Sequence, residues 1–304
     1  DDSIYRDLLN AERGLVPAAK YSRGVATVGE DVLEIQGAYI CEKEKINNTI
    51  RSTAKYLQDA YKMKAPKLPV LPDICKVEDV LFEMKDLTTI PIGIEINSLE
   101  VYVYDFLANK VNLVVANYIE NHMNFVYGLT KEFLLNDGVK LKIVDVLGKY
   151  EGNYEGAEVF KDNFDGVITN ISNELANDGA NPGKTIYMIL GIGELQDKLS
   201  EQNKPVFEKI FMDSNTYQNS IFVFVDDYSS IKKLQIEGWY RSVVDESNGI
   251  WLGDGAGDQM AINVETLTFD DKKVSFPYMG FPIYKENHMI VKYVTDGVEE
   301  EDEK

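Results

Sequence analysis

The 304-residue chain carries 31 Lys and Arg against 51 Asp and Glu, a net charge of −20 with its two histidines neutral. Its 44% hydrophobic and 11% aromatic content excludes a wholly disordered acidic chain, and the length corresponds to about two domains at roughly 150 residues each. Apolar runs stay far below the ~18–20 residues of a membrane-spanning helix. The acidic balance also disfavours binding to nucleic acid, which needs a basic face.

The chain opens at Asp1-Asp2-Ser3 inside what reads as a capped helix over 3–11, with no signal peptide and no initiator Met, the pattern expected of a piece of a longer protein. Residues 23–28 and 32–36 read as two strands joined by a Gly-Glu-Asp turn. From 42 to 64, Ile46, Ile50, Leu57 and Tyr61 recur on one helical face. Pro66, Pro69 and Pro72 end that helix and make a stiff connector, so residues 1–73 are expected to form a small adaptor and 74–304 a larger domain.

In the larger domain, apolar β-branched runs at 99–106, 111–116, 141–146, 185–190, 221–225, 249–252 and 261–264 read as strands. Helical patterns fall at 123–135, 161–177 and 204–213. Continuous apolar strands alternating with amphipathic helices predict an α/β fold, a mainly parallel sheet with helices on both faces. Residues 276–294 are expected to form an antiparallel hairpin at the sheet edge, and 299–303 a like-charge, disordered tail. Residues 296–304 hold six acids against one lysine, leaving the folded part nearer −15. Cys41 and Cys75 lack a CxxC partner, so neither a zinc site nor a disulfide is expected, and no metal site is predicted.

In an α/β chain, chemistry gathers where a loop leaves the carboxyl end of a strand. The run 111–116, the loop after it and the helix from about 125 have the setting of a phosphate-binding G-x-x-x-x-G-K-[ST] loop. On that spacing Asn117 and His122 stand at the glycine positions, Met123 at the lysine and Asn124 at the hydroxyl. The curvature, the charge and the Mg²⁺ ligand are thus all missing. Gly179-Ala-Asn-Pro-Gly-Lys-Thr185 imitates the motif but is one residue short and runs into a strand. After the strand at 186–190, where an acidic pair would hold Mg²⁺, stand Gly191 and Ile192, with Glu194 the one late carboxylate. Asp226-Asp227 reads either as a ligand sensor or as a helix cap. His122 and His288 read as polar surface without a catalytic role.

The run Ile90-Pro-Ile-Gly-Ile-Glu-Ile-Asn-Ser-Leu-Glu-Val-Tyr-Val-Tyr-Asp105 resembles the lead-in to the phosphate-loop strand of FtsK/SpoIIIE-type ATPase domains. Gly238-Trp-Tyr240 and Gly249-Ile-Trp-Leu-Gly-Asp-Gly-Ala-Gly-Asp-Gln259 resemble the closing segment of the last domain of EssC/YukB proteins, the membrane-anchored coupling ATPases of type VII secretion in Gram-positive bacteria. That resemblance implies a RecA-like P-loop NTPase fold for 74–304, on the cytoplasmic side of the bacterial membrane. The implied partners are WXG-type secreted proteins and the adjacent ATPase domains, with no nucleic acid and membrane contact only through the longer protein. Because Asn117, His122, Met123, Asn124 and Glu194 depart from the family pattern, the expectation is a non-enzymatic pseudo-ATPase that holds no cofactor, with ATP and Mg²⁺ left to other domains. The alternative is a weakly ATP-binding motor domain. Tyr278, Phe281, Tyr284 and Tyr293 are the candidate partner contacts, since aromatics are enriched where proteins bind.

Overall fold

The computed structural model describes residues 23–28, 31–37, 42–61, 70–80, 86–180 and 183–297. The helix expected at 3–11, Cys41, most of the proline connector and the acidic run at 299–303 lie outside them. The chain divides into two compact units, Asp1–Leu68 and Pro69–Lys304. Residues 1–68 hold 11 basic and 10 acidic side chains, so the second unit contains the other 20 basic and 41 acidic residues and the whole acidic excess.

In the first unit β1 (Arg23–Val28) pairs antiparallel with β2 (Asp31–Gln36), and an Arg23–Glu34 ion pair at 3.2 Å clips the open end. Helix α1 (Ile46–Tyr61) keeps its apolar stripe, but none of its residues is buried.

The second unit is built on one sheet, twelve-stranded among the described residues. In chain order its strands are β3 (Cys75–Lys76), β4 (Ile90–Glu95), β5 (Val101–Tyr104), β6 (Val111–Ala116), β7 (Val139–Asp145) and β8 (Ala157–Phe160). They continue with β9 (Lys184–Leu190), β10 (Ser220–Asp227), β11 (Gly249–Leu252), β12 (Met279–Tyr284), β13 (Asn287–His288) and β14 (Val291–Thr295). Across the sheet the order is β5-β4-β14-β12-β11-β6-β10-β9-β7-β8, with β13 beside β12 and β3 beside β14. The run β11-β6-β10-β9-β7-β8 is parallel throughout. Taking β6, β7, β9, β10 and β11 as one to five, the order is 5-1-4-3-2, the arrangement of a RecA-like P-loop fold.

The parallel block is smaller than the sequence implies, because β12, β14, β4 and β5 extend it antiparallel. This corrects the expected edge hairpin. β14 is enclosed between β12 and β4, and the edge on that side of the sheet is β5, whose Val101 and Val103 are exposed. Close approach explains two glycines here. A Cβ at Gly93 in β4 would collide with the Lys292 carbonyl of β14, and one at Gly128 would lie 2.9 Å from the Val294 carbonyl.

The helices are α2 (Met123–Leu134), α3 (Phe164–Leu175), α4 (Ile192–Lys198), α5 (Lys204–Met212), α6 (Tyr228–Leu234) and α7 (Gly238–Val243). Strand β6 sends Leu113 and Val115 to one core and Val114 and Ala116 to the other, as a doubly covered strand must. Helices α3 to α7 cover the first face, where Phe207, Phe211, Phe224 and Trp239 interlock largely edge to face with several centroids about 5 Å apart. Among the described helices α2 alone covers the second, through Phe125, Val126, Leu129 and Phe133. Residues 261–264 are no strand. The Gln259 side chain takes the amides of Ala261 and Ile262 at 2.6 and 2.8 Å and donates to the Ile262 carbonyl at 2.6 Å. Those groups are thereby withdrawn from any sheet ladder.

One buried group opposes this packing. Glu132 of α2 is fully buried, and neither of its oxygens has a hydrogen-bond partner among the described residues. Burial, reinforced by the Glu78 charge and opposed by Lys131, pushes its carboxyl up to about 8. An acid whose folded-state pKa exceeds its unfolded value stabilises the fold fully below the unfolded value. That stability is lost as pH rises through the folded one. Glu132→Gln is therefore expected to raise stability by about 1–3 kcal/mol at pH 8, with a much smaller gain at pH 5, read as Tm by calorimetry at both pH values.

Candidate functional site

The carboxyl ends of β6 and β10 lie side by side, and the chain leaves them for opposite faces of the sheet, to α2 and α6. Such a switch point is where an open α/β sheet binds ligands. In this molecule two of its backbone donors are engaged by the protein itself. Residues 119–122 form a 3-10 turn, and the Ile119 amide donates to Asp227 Oδ1 at 2.6 Å. A carboxylate of the protein itself thus holds a backbone N–H of the loop where a phosphate would be cradled. The Asn121 amide closes on the Tyr118 carbonyl at 3.1 Å.

A second loop folds onto the first. Asn117 Nδ2 and Trp251 Nε1 both donate to the Asp254 carbonyl, each at 3.1 Å. This approach depends on glycine. Gly253 and Gly255 have φ of +74° and +90°, and a Cβ on either would meet the His122 ring at 2.8 Å or Asn117 Nδ2 at 2.9 Å. His122 is half-buried, with Nδ1 2.9 Å from the Tyr293 hydroxyl, which corrects its reading as polar surface. Burial lowers its pKa, against a weaker opposing pull from Asp254, so the ring is neutral near pH 7.

Met123 is buried in the core beneath α2, and Asn124 contributes its carbonyl to the Asp296 amide at 3.1 Å. Glu194, exposed in the first turn of α4, turns to Lys198 at 3.4 Å. Asp227 is not the side-chain helix cap that its sequence context suggests. It precedes α6 but makes no side-chain cap there, because its carboxylate reaches across to Ile119. Its neighbour Asp226 is buried, accepts the Gly193 amide at 2.8 Å and has its carboxyl pushed by burial up to about 6.

The five residues placed on the motif positions therefore do not converge. Asn117 and His122 bind the second loop and β14, Met123 packs in the core, Asn124 meets the chain after β14, and Glu194 faces solvent. Near this point stand Asp226, Asp227, Asp254 and Glu120, and Glu120 is paired with Lys149 at 2.9 Å. Each unit charge 4 Å from a phosphate costs about 4 kcal/mol at an effective dielectric near 20. Among the described residues no group of three His, Cys, Asp or Glu side chains is placed to hold a metal ion. The Gly-Lys-Thr run lies at the opposite end of the sheet, where Lys184 Nζ donates to the Gln218 carbonyl and to Asn219 Oδ1. Cys75 is a buried free thiol, raised to about 12 by burial.

Of the four aromatic candidates, Phe281 and Tyr293 are buried and Tyr278 is half-buried. Tyr284 is exposed, with Lys285 Nζ 5.1 Å from its ring centroid. Sequence reasoning missed the Asp227–Ile119 bond and the docking of the 253–255 loop. The glycine-dense Gly-Asp-Gly-Ala-Gly-Asp signals a tight loop, but nothing in the sequence names what that loop closes upon.

No protein-family model and no curated protein matches the chain. Solved structures do. The cytoplasmic domain of EssC superposes with a TM-score of 0.60 at 10% identity, over 89% of this chain and 58% of that one. EssC ATPases 2 and 3 from Geobacillus thermodenitrificans give 0.63 at 11%, over 97% and 59%. The fold is that of an EssC-type ATPase domain. Thermomonospora curvata EccC ATPases 2 and 3, solved in complex with a signal sequence peptide, give 0.57 at 13%, over 93% and 55%. This chain thus spans less than two thirds of the length of each. No described helix is long and apolar enough to cross a membrane.

Asp227→Ala leaves the buried Ile119 amide unpaired and is expected to cost about 1–3 kcal/mol of stability. Asp227→Asn, which keeps an acceptor oxygen, is expected to recover most of it, as judged by denaturant titration of the three proteins.

Proposed function

We propose that residues 69–304 form a non-hydrolysing ATPase-like domain of a type VII secretion motor, which docks secreted protein and acts on neighbouring ATPase domains. The observation that carries this reading is the Asp227 carboxylate on the Ile119 amide, with Met123 buried at the position a phosphate-binding lysine would take. A nucleotide would have to displace a charge-assisted hydrogen bond, enter among carboxylates and do so without a lysine.

The fold is shared with EssC and EccC ATPase domains, one of them solved with a signal sequence peptide, which supports placing the domain in secretion and giving it a polypeptide partner. On this reading WXG-type exported proteins are the cargo, and the domain works on the cytoplasmic side of a bacterial membrane through the anchor of a longer protein. The concentration of 41 acids in the second unit also suits protein cargo better than nucleic acid.

Millimolar Mg-ATP is expected to leave Tm unchanged. Were ATP bound with Kd one hundredth of its concentration, the native state would gain about 2.7 kcal/mol, a rise of several degrees. Such a rise would overturn the pseudo-ATPase reading in favour of a weakly ATP-binding motor. Export should be lost on deleting 69–304 from the longer protein, with its ATP turnover retained.

A further inference from the structure

The acidity of the second unit has a counterpart in the first. Residues 43–67 hold seven basic side chains against Glu44 and Asp59, a net +5, whereas the second unit holds 20 basic and 41 acidic residues. Helix α1 lies in the middle of that basic stretch. Ile46, Ile50, Leu57 and Tyr61 fall within an arc of about 60° at 3.6 residues per turn, and Arg51 and Lys55 stand on the rest of its surface.

A helix of a folded domain ordinarily turns such a stripe to a core. In α1 it stays in the open: Ile50 is 54% and Leu57 47% exposed, and Tyr56 and Tyr61 are 69% and 68% exposed. Arg51 and Lys55 hold no ion pair among the described residues. The charges and the stripe together narrow the choice of partner. Nucleic acid supplies phosphates for the basic residues but leaves the isoleucines and the leucine in water. A bilayer with anionic headgroups meets both, with phosphates beside the cations and hydrocarbon beneath the stripe.

We propose that α1 lies in the plane of an anionic phospholipid membrane, with Ile46, Ile50 and Leu57 in the acyl boundary and Arg51 and Lys55 among the headgroups. Tyr56 and Tyr61 are suited to the same depth, where amphipathic rings collect. The helix rests on the bilayer, since no described helix is long and apolar enough to cross one. Charges more than about 8 Å apart are largely screened from each other at physiological ionic strength, so α1 meets a surface by its own basic charge. This contact goes beyond the proposed function and is independent of the docking and pseudo-ATPase readings. It adds a direct hold on the membrane to the anchor of a longer protein.

Flotation of the full chain with lipid vesicles tests it, using phosphatidylcholine alone or mixed with an equal part of phosphatidylglycerol. The protein is expected to float with the anionic vesicles and to stay behind with the neutral ones. Arg51→Glu/Lys55→Glu is expected to weaken the partitioning at least about tenfold, as is salt near about 0.5 M, where the Debye length falls to a few ångströms. Ile50→Gln/Leu57→Gln keeps every charge and good helix formers, and is expected to abolish flotation. Flotation with neither vesicle, equal flotation with both, or anionic binding unchanged in either double variant would each overturn the assignment. So would a lipid-free dimer in sedimentation velocity that Ile50→Gln/Leu57→Gln dissolves, because the stripe would then belong to a second copy. The comparison of the two vesicles needs no variant, and the Mg-ATP measurement above is untouched by its outcome.

Discussion

Every turn that leaves the carboxyl end of a buried parallel strand exposes backbone N–H groups that need an acceptor. A nucleotide-binding domain leaves that requirement to phosphate. In this chain the protein meets it: Asp227, at the end of β10, takes the Ile119 amide at the end of β6. Much of the surrounding structure follows from that exchange. Around it the loop forms a 3-10 turn, Met123 lies in the core, and the 253–255 loop packs over Asn117 and His122.

The closure is shared across the sheet. Trp251 at the end of β11 and Asn117 after β6 fasten one carbonyl, while Tyr293 of β14 supports His122 from the antiparallel half. Placing β14 inside the sheet, against α2, is what brings that tyrosine under the loop. The aromatic residues near the chain end therefore serve mainly the interior.

The parallel strands were legible because they are apolar on both faces. β6 and β11 match their expected limits, and β7, β9 and β10 differ by a residue or two. The short helices α4, α6 and α7 were not, since seven residues or fewer give too little periodicity to read. The run at 261–264 is strand-like in composition, but a side chain 2–3 residues upstream claims its hydrogen bonds. At the site, the sequence showed that Asn117, His122 and Met123 stand at the spacing of a phosphate loop's glycines and lysine. The bond on the Ile119 amide was not legible, because Asp227 lies 108 residues from Ile119 and only the β6–β10 register brings the two together. The sheet position of 276–294 failed for a similar reason: chain order says little about which strand ends an extended sheet.

Hydrogen exchange across residues 117–124, with and without millimolar Mg-ATP, tests the central claim most directly. If Asp227 fills the anion's place, the Ile119 amide is protected in the free protein and ATP changes nothing across the loop. Rapid exchange at Ile119 without nucleotide, or new protection across 117–124 when it is added, would contradict a closed site.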